Sequence, residues 1–82
     1  MSILGDRIVQ LRKAKGWTQT QLGTYAGVNE SYLCGIEKGR RINVRIEYLK
    51  KLGRSLDTSI DYLAGLTDDA RPPAARQQYP KG

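Results

Sequence analysis

The residues of this chain best suited to chemistry lie between positions 30 and 45. At about 100° per residue, Leu33 and Ile36 point to one side of a helix, while the opposite side carries only small and polar groups. These groups are Ser31, Cys34, Gly35 and Lys38. A helix face without large apolar side chains fits the roughly 12 Å wide major groove of DNA and brings polar groups to base edges.

A basic loop follows this helix after Gly39. It contains Arg40, Arg41, Asn43 and Arg45. Side chains of this kind are expected to clamp a phosphate backbone, and the alternative is a charged face that contacts only water. Asn43 is also expected to cap the next helix.

The composition agrees with a nucleic-acid partner. Fourteen Lys and Arg against eight Asp and Glu give a net charge of +6, with no His to alter it near neutral pH. This charge favours a polyanion, with nucleic acid first and an anionic membrane second. The 82 residues leave room for one domain.

The sequence lacks the parts that catalysis and metal binding need. It has no His, one Cys, no phosphate-binding loop and no paired carboxylates placed across a cleft. We therefore expect no enzyme activity, metal or cofactor. No apolar run approaches the roughly 18 residues of a membrane span, and the N-terminus does not read as a signal peptide, so we expect a cytoplasmic protein.

Two short helices position the polar face. Thr18 and Gln21 have capping-box spacing, which starts one helix, and Gly27 is suited to end it. Asn29 is a good N-cap for the second helix, which is expected from about residue 30 to 38. Two helices joined by so short a turn are typical of a DNA-reading helix-turn-helix.

Three further helices are expected to complete the core. The first extends from Ile3 or Leu4 to Lys15, and a fourth helix follows the basic loop. The apolar face of the fourth helix is formed by Ile46, Leu49, Leu52 and Leu56. Ser59 is expected to cap a short fifth helix. Gly23 and Gly53 fall inside helices, where Gly costs about 1 kcal/mol against Ala, so the monomer should be marginally stable.

The chain resembles the Cro/CI-type family, also called XRE or lambda-repressor-like. The motifs that carry the resemblance are Leu11-Arg12-Lys13, Lys15-Gly16, Trp17-Thr18-Gln19 with Leu22, Gly27-Val28, Tyr32-Leu33, Ile36-Glu37-Lys38-Gly39-Arg40 and Ile60-Asp61-Tyr62-Leu63. They cover about residues 3 to 66. The resemblance implies an all-α, compact five-helix domain over residues 1–66 that binds double-stranded DNA as a homodimer. The polar, Pro-rich residues 67–82 are expected to form a disordered tail.

The resemblance assigns base reading to the exposed side of the third helix. The matching positions are Glu30, Ser31 and Gly35. Because Gly35 has no side chain, readout is expected to fall on the first turn. Glu30 either accepts a hydrogen bond from a cytosine amino group or only interacts favourably with the helix dipole.

Backbone contacts are expected around this helix. Gln19 can present its amide and its backbone N–H to a phosphate, and the resemblance implies that contact. The other expected backbone contacts are Tyr32, Lys38, Arg40, Arg41 and Asn43, and Arg45 matches a position that can enter the minor groove. Tyr32 alternatively packs against the second helix.

Arg12 and Glu37 are predicted to form an ion pair. Arg12 lies at the edge of the apolar face of the first helix, and Glu37 flanks the packed side of the third. The resemblance implies a partly buried pair, and the alternative is two solvated charges.

The function expected from these features is transcription regulation. The protein would be a repressor that reads a palindromic operator as a dimer through the helix of residues 30–38. The alternative is an antitoxin or other protein-binding module with the same fold, whose tail binds a protein partner and whose DNA binding is secondary. Tyr48, Leu56, Ile60 and Tyr62 are candidates for a dimer surface or for ordinary core.

Overall fold

The computed structural model describes residues 2–41 and 43–72. Their helices are α1 (Ile3–Ala14), α2 (Gln19–Ala26), α3 (Glu30–Glu37), α4 (Ile46–Ser55) and α5 (Ile60–Leu63). No strand occurs among these described residues. The prediction of an all-α, five-helix fold is confirmed.

Polar side chains at the helix starts satisfy the first-turn amides. The Thr18 hydroxyl accepts from the Gln21 amide at 3.1 Å, and the Gln21 side chain accepts from the Thr18 amide at 2.9 Å. The Asn29 side chain accepts from the first-turn amides of α3, and Ser59 caps α5. Because caps act within a few residues, the sequence was sufficient to predict these starts.

The expected cap of α4 by Asn43 is wrong. The helix begins at Ile46, and the N-cap position belongs to Arg45, whose side chain makes no capping hydrogen bond. Asn43 lies two residues before the cap position, which is too early for its side chain to act as the N-cap.

Every helix contributes to one apolar core. Its most buried side chains are Ile8, Leu22, Leu33, Ile36, Leu52, Leu56 and Leu63. Leu56 thus belongs to the core rather than to an exposed dimer surface. Ile46 is 56% exposed, so it does not belong to the buried apolar face of α4 on which it was predicted to lie.

Two glycines let elements approach more closely than a side chain would permit. A Cβ on Gly23 would lie 2.8 Å from the Val28 carbonyl oxygen, and one on Gly5 would meet the Ile36 carbonyl oxygen. Gly23 therefore lets α2 pack on the turn that precedes α3. The cost expected from its helix propensity is offset by this close packing.

Residues 67–72, the start of the predicted tail, lie against the helices. Arg7 Nη1 donates to the carbonyl oxygens of Tyr62 and Thr67 at 2.6 Å each, and Nη2 donates to Asp68 at 2.8 Å. The Thr58 hydroxyl donates to the Ala70 carbonyl at 2.7 Å. The rest of the predicted tail, residues 73–82, lies outside the described residues.

Candidate nucleic-acid interface

A rigid turn fixes α3 against α2. Gly27 has a φ of 71°, which suits a residue without a Cβ, and the Val28 amide donates to the Gly23 carbonyl at 2.9 Å. Val28 and Leu33 are both buried in the core beside this turn. The packing holds one side of α3 and leaves the other side available.

Four of the predicted contact residues line one surface depression. Gln19 comes from the start of α2, Glu30 and Ser31 come from the first turn of α3, and Arg40 comes from the loop after α3. Cys34 also lines this depression. The fold therefore brings residues predicted to read bases and residues predicted to contact phosphates onto one surface.

Thr20 holds Glu30, a contact that the sequence analysis missed. The Thr20 hydroxyl donates to Glu30 Oε2 at 2.7 Å across the α2–α3 angle. Because one oxygen is held, the carboxylate has a defined position on the exposed surface. Sequence gave no signal for this contact, since Thr20 is one of several polar residues in α2 and its partner is ten residues away.

Arg12 and Glu37 form a bidentate ion pair that also holds Gln19. Arg12 Nε donates to Glu37 Oε2 at 2.8 Å, and Nη2 donates to Oε1 at 3.0 Å. Their side chains are only 12% and 4% exposed. Gln19 Nε2 donates to Glu37 Oε1 at 2.8 Å, and Arg12 Nη1 donates to the Trp17 carbonyl. An amide nitrogen carries two hydrogens, so Gln19 retains one N–H that this contact does not use.

Tyr32 packs with a second tyrosine and with an arginine. Its ring centroid lies 4.7 Å from that of Tyr48, and the Arg41 guanidinium carbon lies 4.5 Å from the Tyr32 centroid. The Arg41 stem lies beside Gly35. The Arg41 side chain thus lies on the surface of α3.

The remaining predicted backbone contacts surround α3 and are exposed. Lys38 is the C-cap residue of α3, and the Arg40 amide donates to the Gly35 carbonyl at 2.9 Å. Asn43 and Arg45 are exposed just before α4. Lys38, Arg40 and Arg45 give the exposed segment between α3 and α4 a positive charge.

The described part of the chain contains neither a metal-ligand cluster nor a membrane-spanning helix. Across residues 2–41 and 43–72, no three side chains of the His, Cys, Asp or Glu type come together as metal ligands. Likewise, none of the helices described above is long and apolar enough to cross a bilayer.

Known proteins share this sequence and arrangement. Residues 8–63 match the family model described as helix-turn-helix. The HTH-type transcriptional regulator SinR of Bacillus subtilis is 41% identical over 61 residues, which are 74% of this chain. This chain spans only 55% of the length of SinR.

Solved structures of SinR have a fold similar to that of this chain. SinR in complex with DNA, described as the master regulator for biofilm formation, is 42% identical with a TM-score of 0.71. That match covers 73% of this chain and 95% of the SinR chain. A complex of SinR with the SinI protein gives the same identity and TM-score, covering 73% of this chain and 58% of the other. Since the family model matches well over half of its residues, this chain belongs to the XRE-type helix-turn-helix family.

Proposed function

We propose that the protein is a sequence-specific DNA-binding transcriptional regulator, acting as a repressor, that reads DNA through α3. The observation that carries the proposal is the single surface formed by Gln19, Glu30, Ser31 and Arg40. The opposite, apolar side of α3 is buried in the core. The similarity to SinR, solved in complex with DNA, supports it.

The residues divide by the part of DNA that they contact. Ser31 and Glu30 meet base edges in the major groove, with Gly35 allowing close approach one turn later. Phosphates are contacted by Gln19, Tyr32, Lys38, Arg40 and Asn43. Arg45 enters the adjacent minor groove, where a narrow A/T-rich groove attracts the guanidinium.

Dimerisation and a palindromic operator are part of the proposal. Two copies related by a two-fold axis present two α3 helices to half-sites about 34–36 Å apart, which increases both affinity and sequence information. Within the proposal the protein has no enzymatic activity. It acts in the cytoplasm, where a regulator of this family meets its DNA.

A protein partner is the second candidate function. The SinR–SinI complex supports it, because a relative with the same fold is solved with another protein. Under this alternative the chain is an antitoxin or other binding module, and its contact with DNA is secondary.

The proposal is tested by selecting bound sequences from a random double-stranded DNA library and titrating salt on the selected site. We expect an enriched palindrome whose affinity falls with salt by a slope of about 0.9 per neutralised phosphate. Protein mass on that site, measured by sedimentation, should correspond to two chains.

Glu30→Ala and Ser31→Ala test the reading surface. Each should relax base choice at defined positions, by about 1–3 kcal/mol per lost contact. Asp6→Ala is the matched control, because Asp6 is an exposed acid in the first turn of α1 and its loss changes the charge and the helix dipole interaction similarly. Absence of any enriched sequence from the wild-type protein would refute the proposal, and a stoichiometric co-purifying protein would then favour the alternative.

A further inference from the structure

Gly35 leaves a gap in the side-chain surface of α3 that Arg41 fills. A Cβ built on Gly35 would lie 3.4 Å from Arg41 Cγ and 3.5 Å from Cδ and Nε, which are its nearest atoms apart from the adjoining residues and the backbone of α3. The Arg41 amide also donates to the Gly35 carbonyl at 3.2 Å, which returns the chain to this turn of the helix. The Arg41 side chain thus lies where a residue-35 side chain would otherwise begin.

The position of Gly35 places Arg41 on the side of α3 that faces away from the core. Gly35 is four residues after Ser31, so the two share a face, and Tyr32 borders that face. The guanidinium lies over the Tyr32 ring, one helical turn back from the stem at Gly35. The charged end therefore points toward the N-terminal half of α3, where base contacts are expected, rather than along the loop.

Stacking on Tyr32 orients the guanidinium without using its hydrogen-bond donors. The N–H groups of a guanidinium point outward in its own plane, so they remain available for hydrogen bonds when the guanidinium stacks on an aromatic ring. Within residues 2–41 and 43–72, no acceptor takes a hydrogen bond from the Arg41 side chain, whose ring partner is Tyr32. Tyr32 is itself supported by Tyr48, so the platform beneath Arg41 is fixed by packing.

We propose that Arg41 determines sequence specificity by donating a bidentate hydrogen bond to guanine in the major groove, in place of the side chain that Gly35 lacks. An oriented guanidinium edge matches the O6 and N7 acceptors of guanine, and this is the commonest specific contact of arginine. The inference rests on the proposed function. It replaces the phosphate contact that the sequence analysis assigned to Arg41.

The test compares base preferences of the wild-type protein, Arg41→Lys and Arg54→Lys on the selected site and on all its single-base variants. Arg41→Lys keeps the charge but removes the two parallel N–H donors of the guanidinium. It should reduce discrimination at one G·C pair per half-site by about tenfold, with the salt slope unchanged. Arg54→Lys, the same change at an exposed arginine of α4 that is assigned no DNA contact, should leave the pattern of base preferences as it is in the wild type.

A second variant displaces Arg41 without altering it. Gly35→Leu places a side chain where the Arg41 stem lies, and it should relax preference at the same base pair as Arg41→Lys. Circular dichroism and thermal melting confirm that each variant is folded. If both variants keep the wild-type preference at every position, Arg41 is not a base reader, although the proposed function stands. If the wild-type protein selects no sequence, both proposals fail.

Discussion

The Glu37 carboxylate makes two contacts at the end of α3. It pairs with Arg12 and accepts a hydrogen bond from the Gln19 amide, and its own side chain is only 4% exposed. Spacing alone rarely indicates that two charged residues 25 positions apart, such as Arg12 and Glu37, form a pair. Here the position of each residue beside an apolar face, together with the family resemblance, was sufficient to predict the pair.

Removing Glu37 should destabilise the fold. Glu37→Ala leaves the Arg12 guanidinium buried without its carboxylate, so we expect a loss of about 3 kcal/mol in the free energy of unfolding. A double-mutant cycle with Arg12→Ala, followed by chemical denaturation, should give a coupling above about 1 kcal/mol. The exposed pair Arg71–Asp69 serves as the control and should show much weaker coupling. Zero coupling between Arg12 and Glu37 would contradict the prediction.

Gln19 is predicted to act on phosphate rather than on sequence. Gln19→Ala should weaken binding to selected and random DNA by the same factor, about tenfold for one lost hydrogen bond to a charged phosphate. The exposed α1 residue Gln10 provides the matched control, since Gln10→Ala should leave affinity unchanged. A loss confined to the selected sequence, measured by fluorescence anisotropy on both DNAs, would instead make Gln19 a base reader.

Residue contacts across elements were the least predictable part of the site. Thr20 with Glu30, and Arg41 with Gly35 and Tyr32, depend on the angle between α2 and α3 and on the path of the loop after α3. Neither is encoded in a local spacing. Both became visible only when the helices were packed.

At the scale of elements, helix starts were predictable and close approaches were not. Thr18, Asn29 and Ser59 cap their helices through neighbours two or three residues away, which sequence spacing reveals. Gly23 was expected only to weaken α2, because its near contact with the Val28 carbonyl is created by the turn. The α4 cap failed for a similar reason, since the loop continues in non-helical conformation past Asn43.

Two glycine substitutions should have opposite effects on stability. Gly23→Ala forces a methyl group against backbone and should cost about 1–3 kcal/mol despite its higher helix propensity. Gly35→Ala is the comparison within the helix-turn-helix, because its methyl meets only the flexible Arg41 stem at 3.4 Å. It should stabilise α3 by up to about 1 kcal/mol. The melting temperatures of the two variants test this prediction. Stabilisation by Gly23→Ala would contradict it, because it would mean that the turn at Val28 moves away from the added methyl group at little cost.

At the scale of the whole molecule, Arg7 connects the beginning of the domain to its end. Its guanidinium stacks on the Tyr62 ring with 4.0 Å to the centroid and donates to carbonyl oxygens 55 and 60 residues away. No single-sequence pattern indicated this role, because an Arg on α1 of a basic protein is expected to be one of many solvated charges.

Arg7→Ala should lower the free energy of unfolding by about 2 kcal/mol, since two carbonyl oxygens lose a charged donor. Asp68→Ala is the control for the ion pair alone: the Asp68 side chain is 99% exposed, so its removal should have no measurable effect. Denaturant titration of both variants distinguishes the two contacts. Equal losses would mean that the exposed pair, rather than the carbonyl contacts, holds the segment.

The start of α1 lies against the turn that follows α5. Ile3 lies so near Gly65 that a Cβ on Gly65 would be 3.1 Å from Ile3 Cγ2. Both positions are exposed. Because they are neighbours in space, a short linker from residue 66 to residue 3 would close the helical part into a ring that can be opened at another loop. Such a circular permutant would keep the packing of α2 against α3 while changing the order in which the helices are synthesised.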